Sequence, residues 1–538
     1  MQPVPTFDPL SRVMGALAAL LGAATAWHYT SAGLALSHYD AKAHLVVARR
    51  IFDSITPNWE QIGAVWLPLP HALNALPVQI DFMYRTGASA IVISVVSFAV
   101  TAACLSALVL RLTGSGAGAV LAAALFAINA NVLYLQSTPM TEPLLFALSV
   151  MMVLQLTEWA LSDRVPVPRA AGWTMVAAML TRYEAWPIAG TAMVLAAWVK
   201  WRRGTSFMAV AGSVMRLARY PAGAIVFFVI MSWITTGAWF VTGGFYIPDP
   251  KLQGQPQAVF DAIIEGARDL AGARMVLFGK ISVIVLMVAA LVRMAPHKGV
   301  PYDDKRVPYD AALVRRAPLL GVPCNAALVM PISLLACGAL PFYAFVSGHP
   351  FRIRYEVPLI LGAAACIGTA TGLVRSAFAP SASAFASAAA HKWADRLVSV
   401  AVVVAVMLQA PPFDQAAPMI VEAQLDRTNG EGRRAVTTCL ARGYDGTTIM
   451  ASMGSLAHYM QELSREGFDI GDFLHEGNGP IWDTALDHGP APFAGWVLIE
   501  EVAEGGDLLS QRAKADAKWL TGMERVCEGG NVALYRRR

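Results

Sequence analysis

Apolar runs of membrane-spanning length recur along most of this chain, and nothing else in it limits the fold as strongly. They fall at roughly 13–36, 88–110, 117–135, 142–161, 170–181, 185–199, 221–241, 276–294, 319–346, 357–374 and 396–411. A helix needs about 17–25 mostly apolar residues to cross a bilayer. The run at 170–181 is short, and the one at 319–346 carries Pro331 and Pro341. Charged residues are 14% of the 538, against about a quarter in a soluble domain. Lipid leaves each backbone polar group to be satisfied within its own segment. The expected fold is therefore an α-helical polytopic membrane protein of about eleven transmembrane helices.

The placement of Lys and Arg orients those helices. Alternate loops carry Arg111; Arg164 and Arg169; Lys200, Arg202, Arg203, Arg216 and Arg219; a group from Arg293 to Arg316; then Arg375, Lys392 and Arg396. These are assigned to the cytoplasm, together with the N-terminus. An odd number of spans then leaves the C-terminal tail extracytoplasmic. MQPVPTFDPLSR has no charged n-region or small-residue cleavage site, so the first run is read as a retained helix.

From about Pro412 the composition becomes that of a soluble domain. TTIMAS and GWVLIEE read as short buried strands, LAHYMQELSREG as an amphipathic helix and NVALYRRR as a terminal strand. Residues 1–411 thus form a transmembrane module and 412–538 a small α/β extracytoplasmic domain. Of the six cysteines, only Cys439 and Cys527 lie in that polar part. Outside the membrane the two can oxidise, and a Cys439–Cys527 bridge is predicted. No CxxC or His-rich spacing suggests a metal site, and the net charge of +4 points to no nucleic-acid partner.

The first outer loop, about 37–88, is long for a connector. HLVVARRIFDSI separates apolar from basic residues, as an interfacial helix would, and WLPLPHALNALPVQIDF is also expected to lie along the membrane surface. Polar strings on the outer side are SHYDAKAH, with Asp40 and His44; QSTPMTEPLL, with Thr141 and Glu142; LTRYEAWP, with Arg182 and Glu184; and SGHPFRIRYEVPL, with His349, Arg352, Arg354, Tyr355 and Glu356. Charges cost several kcal/mol at the bilayer centre and less at its edge, so such clusters either reach water or line a shared cavity. Each also has a plain structural reading. Asp40 suits an N-cap, Glu142 beside Pro143 suits a first helical turn, and Arg182 with Glu184 or Arg354 with Glu356 suits an ion pair.

Together, YDAKAHL after the first span, QSTPMTEPLL, LTRYEAWP and RIRYEVPL resemble the GT-C superfamily of integral membrane glycosyltransferases. Within it, the likeness is to bacterial relatives of protein O-mannosyltransferases and aminoarabinose transferases, over roughly residues 10–410. The resemblance implies a GT-C-like fold and a bacterial inner-membrane enzyme. Such an enzyme takes a sugar from a polyprenyl-phosphate donor and passes it, with inversion, to a glycan, lipid or protein acceptor on the outer face. It maps the general base to Asp40, a second acidic position to Glu142, and the grip on the lipid phosphate to Arg352 or Arg354. His44, Arg182, Glu184, His349 and Tyr355 are carried as substrate-binding positions. Many relatives have two adjacent acids in the first loop, whereas here Ala41 follows Asp40; this weakens the case for a divalent metal, and no metal ligand is assigned. Two other classes are compatible with the residues: a flippase or transporter for a lipid-linked saccharide, and a non-catalytic assembly subunit whose outer domain binds a partner.

Overall fold

The computed structural model describes residues 7–240, 248–291, 325–377, 385–502 and 506–538. Among them, seven helices are long and apolar enough to cross a membrane: Pro9–Ser31 (α1), Ala88–Thr113, Glu142–Leu161, Phe207–Thr236, Ala273–Leu291, Ala326–Val346 and Ile353–Leu373. The other apolar runs form shorter helices at Gly116–Ala127, Arg169–Met179, Ala185–Arg202 and within Phe385–Met407. Each run thus contributes a helix among the described residues, and seven of these helices are long and apolar enough to span, against the expected eleven.

Local chemistry shortens one of these runs. The 117–135 run breaks at Asn129, whose side chain accepts from the N–H groups of Asn131 and Val132 and starts a separate helix, Ala130–Leu135. The proline-bearing run still reaches spanning length, as a 3₁₀ helix over Asn325–Gly338, with Pro331 inside it, followed by an α-helix at Ala339–Val346. The basic group from Arg293 to Arg316 lies outside the described residues.

Small residues let the helices approach closely. A Cβ added to Gly118 would stand 2.5 Å from the carbonyl oxygen of Gly368 and 3.1 Å from Gly372. The helices Gly116–Ala127 and Pro358–Ala377 therefore cross almost backbone to backbone, the packing expected where dispersion rather than hydrophobic exclusion holds helices together.

The long loop after the first helix is folded. Its first helix, α2, runs from Tyr39 to Arg49. It does not lie on the membrane surface as the sequence pattern suggests. Residues 41 to 49 are all buried, because the C-terminal region packs over them. Helix Met453–Leu463 and the loop's apolar face share one cluster that includes Leu45, Val46, Tyr84, Leu456 and Tyr459. Further along the loop, Leu73, Leu76, Ile80 and Phe82 are exposed.

The C-terminal region begins with a long helix, Pro418–Gly443, and contains a five-stranded sheet. Its strands are β1 (Ile449–Ala451), β2 (Phe473–Leu474), β3 (Trp496–Glu500), β4 (Met523–Gly529) and β5 (Val532–Arg537), in the order β2-β1-β3-β5-β4. β1 is parallel to β2 and β3, whereas β5 is antiparallel to both β3 and β4. Cys439, on the long helix, is bonded to Cys527 on β4, as predicted.

Candidate functional site

Four chain segments bring charged side chains together at the head of the helical module. Asp40 is the second residue of α2. Glu142 opens the helix Glu142–Leu161, with Pro143 in its first turn. Arg182 and Glu184 sit in the short link between helices Arg169–Met179 and Ala185–Arg202, and Arg354 lies in the 3₁₀ turn Ile353–Glu356.

The cluster is a chain of ion pairs. Arg354 hydrogen-bonds and ion-pairs with Asp40, and its Nε lies 3.2 Å from Glu142 Oε1. Arg182 Nη1 is 3.0 Å from the same Glu142 oxygen. It also donates to Thr141 Oγ1 at 2.9 Å, and Nη2 donates to Glu184 Oε1 at 2.6 Å. Glu142 is fully inaccessible. Its contacts to the two arginines are charge contacts at angles that leave both carboxylate oxygens without a hydrogen bond. Two buried guanidinium groups thus hold three carboxylates, and both arginines are almost enclosed.

The electrostatics follow from this pairing. Burial alone would push the Asp40 carboxyl up, but the Arg354 charge and hydrogen bond, with neighbouring histidines, hold it well below the usual carboxylate range. Burial likewise disfavours a charged Arg182, and the Glu142 and Glu184 carboxylates more than offset it. Asp40 is an ionised acceptor at neutral pH.

His44 lies one turn after Asp40 on α2, on the same face. The carbonyl of Leu67 can only accept, so the His71 Nδ1–H donates to it at 3.2 Å. His71 Nε2 is then an acceptor, and it receives the His44 Nδ1–H at 3.0 Å. Trp66 packs on both rings, 4.4 Å from the His44 centroid and 5.8 Å from that of His71. This relay fixes the tautomer: His44 Nε2 carries a lone pair, and it is buried without a hydrogen-bond partner. Burial holds the His44 imidazole down at about 3 and keeps His71 neutral as well.

The structure divides the sequence-expected residues. Asp40, Glu142, Arg182, Glu184 and Arg354 meet in one cluster, with His44 beside it. The Arg354 guanidinium lies 5.9 Å from the Tyr355 ring, and His349 is 5.4 Å from that ring on its other contacts. Arg352, by contrast, is exposed. Arg354 does not pair with Glu356, which is fully buried and has no hydrogen bond. Among the described residues no three His, Cys, Asp or Glu side chains are grouped as metal ligands. Sequence reasoning did not find His38, His71, Glu422 or Asp426. His38 and His71 lie within quoted strings but carried no signal of their own, and only tertiary contact reveals the four.

These elements make a polytopic helical fold with acids and arginines gathered at the head of the loop that follows its first helix. The particular likeness is to ArnT. The crystal structure of ArnT from Cupriavidus metallidurans bound to undecaprenyl phosphate matches with a TM-score of 0.52 and 12% identity, covering 96% of this chain and 97% of that one. The apo structure of the same protein matches with a TM-score of 0.53, the same identity and the same coverage. At this identity the likeness is one of fold. No protein-family model matches the chain, and no curated protein does.

Proposed function

We propose that this chain is a glycosyltransferase of a bacterial inner membrane, moving a sugar from a polyprenyl-phosphate donor to an acceptor hydroxyl on the outer face, with inversion. The observation that carries the reading is the Asp40–Arg354–Glu142–Arg182 cluster, set in a fold shared along its whole length with a protein that binds undecaprenyl phosphate. The orientation adopted has the N-terminus cytoplasmic and the C-terminal domain periplasmic, as the loop charges indicate.

In this reading Asp40 accepts the proton of the acceptor hydroxyl as its oxygen attacks the anomeric carbon. The bond from that carbon to the phosphate oxygen breaks, and polyprenyl phosphate leaves with the bonding electrons. One displacement inverts the configuration. A guanidinium suits the departing phosphate because it stays charged and binds two oxygens at once. Arg354 is that group, with Arg352 at the rim. Because Arg354 is paired with Asp40, an arriving phosphate competes for it and loosens the carboxylate for its role as base. Arg182, itself held by Glu184, keeps Glu142 in place beside them.

The test is transfer from a labelled polyprenyl-phosphate sugar by the purified full-length chain in lipid, using envelope acceptors extracted from the host membrane. Wild type is expected to release polyprenyl phosphate and label the acceptor. Asp40→Asn is expected to fold normally and lose at least about a hundredfold in rate, the scale of a lost general base. Full activity in Asp40→Asn overturns the assignment. Movement of the donor across the bilayer without transfer would instead identify a flippase.

A further inference from the structure

The C-terminal region reaches into the site through the first turn of α2. The leading N–H groups of a helix have no partner within the helix, and here other parts of the chain satisfy them. The Tyr39 N–H donates to Asp426 Oδ2 at 2.7 Å. The Asp40 N–H donates to His38 Nδ1 at 3.2 Å, which leaves the His38 Nε2–H to donate to Glu422 Oε2 at 3.1 Å. Glu422 and Asp426 stand one turn apart on the helix Pro418–Gly443. The two carboxylates form an external cap on α2 and complement its dipole.

Further contacts fix the rest of α2. The Tyr39 hydroxyl donates to the Gly454 carbonyl at 2.7 Å. Lys42 pairs with Glu462, which also accepts from Arg433 at 3.2 Å. At the far end, Arg49 Nη2 meets Asp469 at 3.0 Å. The helix Pro418–Gly443 is itself anchored to the membrane module, since the Met419 N–H donates to the buried Asn131 side chain at 3.0 Å.

We propose that Asp426, together with Glu422 acting through His38, is a positioning residue for Asp40. The C-terminal domain thereby sets the catalytic carboxylate by capping the helix that carries it. This rests on the reading of Asp40 as the base. The cap holds the backbone of residues 39 and 40, so its loss displaces the carboxylate without touching either substrate. A misplacement of about 1 Å can cost on the order of a hundredfold in rate.

The experiment compares Asp426→Leu, Asp426→Asn and Glu422→Ala in the full-length chain, with sugar transfer and hydrogen exchange of the peptide containing Tyr39 as readouts. Asp426→Leu is expected to lower kcat about ten- to a hundredfold, to leave the donor KM within about threefold, and to speed exchange at Tyr39. Asp426→Asn keeps an acceptor oxygen and is expected to recover most of kcat. Glu422→Ala is expected to show a smaller loss of the same kind. Wild-type kcat in Asp426→Leu, or a loss carried wholly by donor KM, overturns the proposal. If wild type transfers no sugar, the underlying reading falls instead, and the exchange contrast at Tyr39 tells that failure apart from the loss of the cap.

Discussion

Arg354 pairs with Asp40 across more than three hundred residues of chain, joining the turn Ile353–Glu356 to the helix Tyr39–Arg49. Neither partner is well exposed, and Glu142 shares the guanidinium from a third segment. Removing one member of a buried ion pair leaves an uncompensated charge, at a cost of about 3–5 kcal/mol. Arg354→Gln is therefore expected to lower the thermal midpoint in detergent markedly. The double variant Arg354→Gln/Asp40→Asn should recover part of that loss, since one of the two stranded carboxylates is then neutral. Additive losses in the double-mutant cycle would show that the two groups do not interact.

The buried histidines give a pH dependence of definite sign. Histidine titrates near 6.5 in an unfolded chain, whereas burial holds His44 at about 3 and pushes His71 and His475 well below 6.5. Between those values the unfolded state binds more protons. Stability is then fully present above about pH 6.5 and falls as the pH drops toward about 3. The slope is about 1.4 kcal/mol per pH unit for each such histidine. Thermal melts of wild type from pH 7 to 4.5 should show the decline, and His44→Gln should flatten it. An unchanged slope in that variant would exclude a neutral, buried His44.

The Cys439–Cys527 bond closes a loop of 88 residues. Loop-closure entropy alone assigns such a cross-link roughly 4–5 kcal/mol. Cys439→Ser is expected to destabilise the C-terminal region by a sizeable part of this. Wild-type protein under native, non-reducing conditions should show neither thiol reactive in a free-thiol count, and two reactive thiols would remove the bond.

Leu76 and Phe82 project from the first outer loop, 71% and 64% exposed. If this face lies on the membrane as proposed, these groups enter the headgroup region. A Leu76→Cys variant carrying an environment-sensitive fluorophore should be quenched by lipids spin-labelled near the interface. Quenching by a water-soluble agent alone would place this face in solvent.

The likeness to the GT-C class was legible because its carriers are local. YDAKAHL, QSTPMTEPLL, LTRYEAWP and RIRYEVPL each combine a span boundary with charged residues, and all four contribute to the cluster. The surroundings were less legible. HLVVARRIFDSI has the face separation of an interfacial helix, and periodicity cannot distinguish burial by lipid from burial by another domain. The choice of Arg354 over Arg352 was likewise open, because the two lie two residues apart in one turn. The turn's geometry carries one into the cluster and leaves the other at the rim.

By itself the sequence determined the polytopic helical class, the small α/β region at the C-terminal end and the pairing of its two cysteines. These depend on apolar length, charge density and composition, which act over tens of residues. Only the tertiary structure decided that Asp40 meets Arg354, that the His44–His71 relay fixes a tautomer, and that Glu422 and Asp426 cap the helix bearing Asp40. Those contacts join residues up to 387 positions apart, and a hydrogen bond at that separation is set by how helices pack and leaves no periodic trace in the chain.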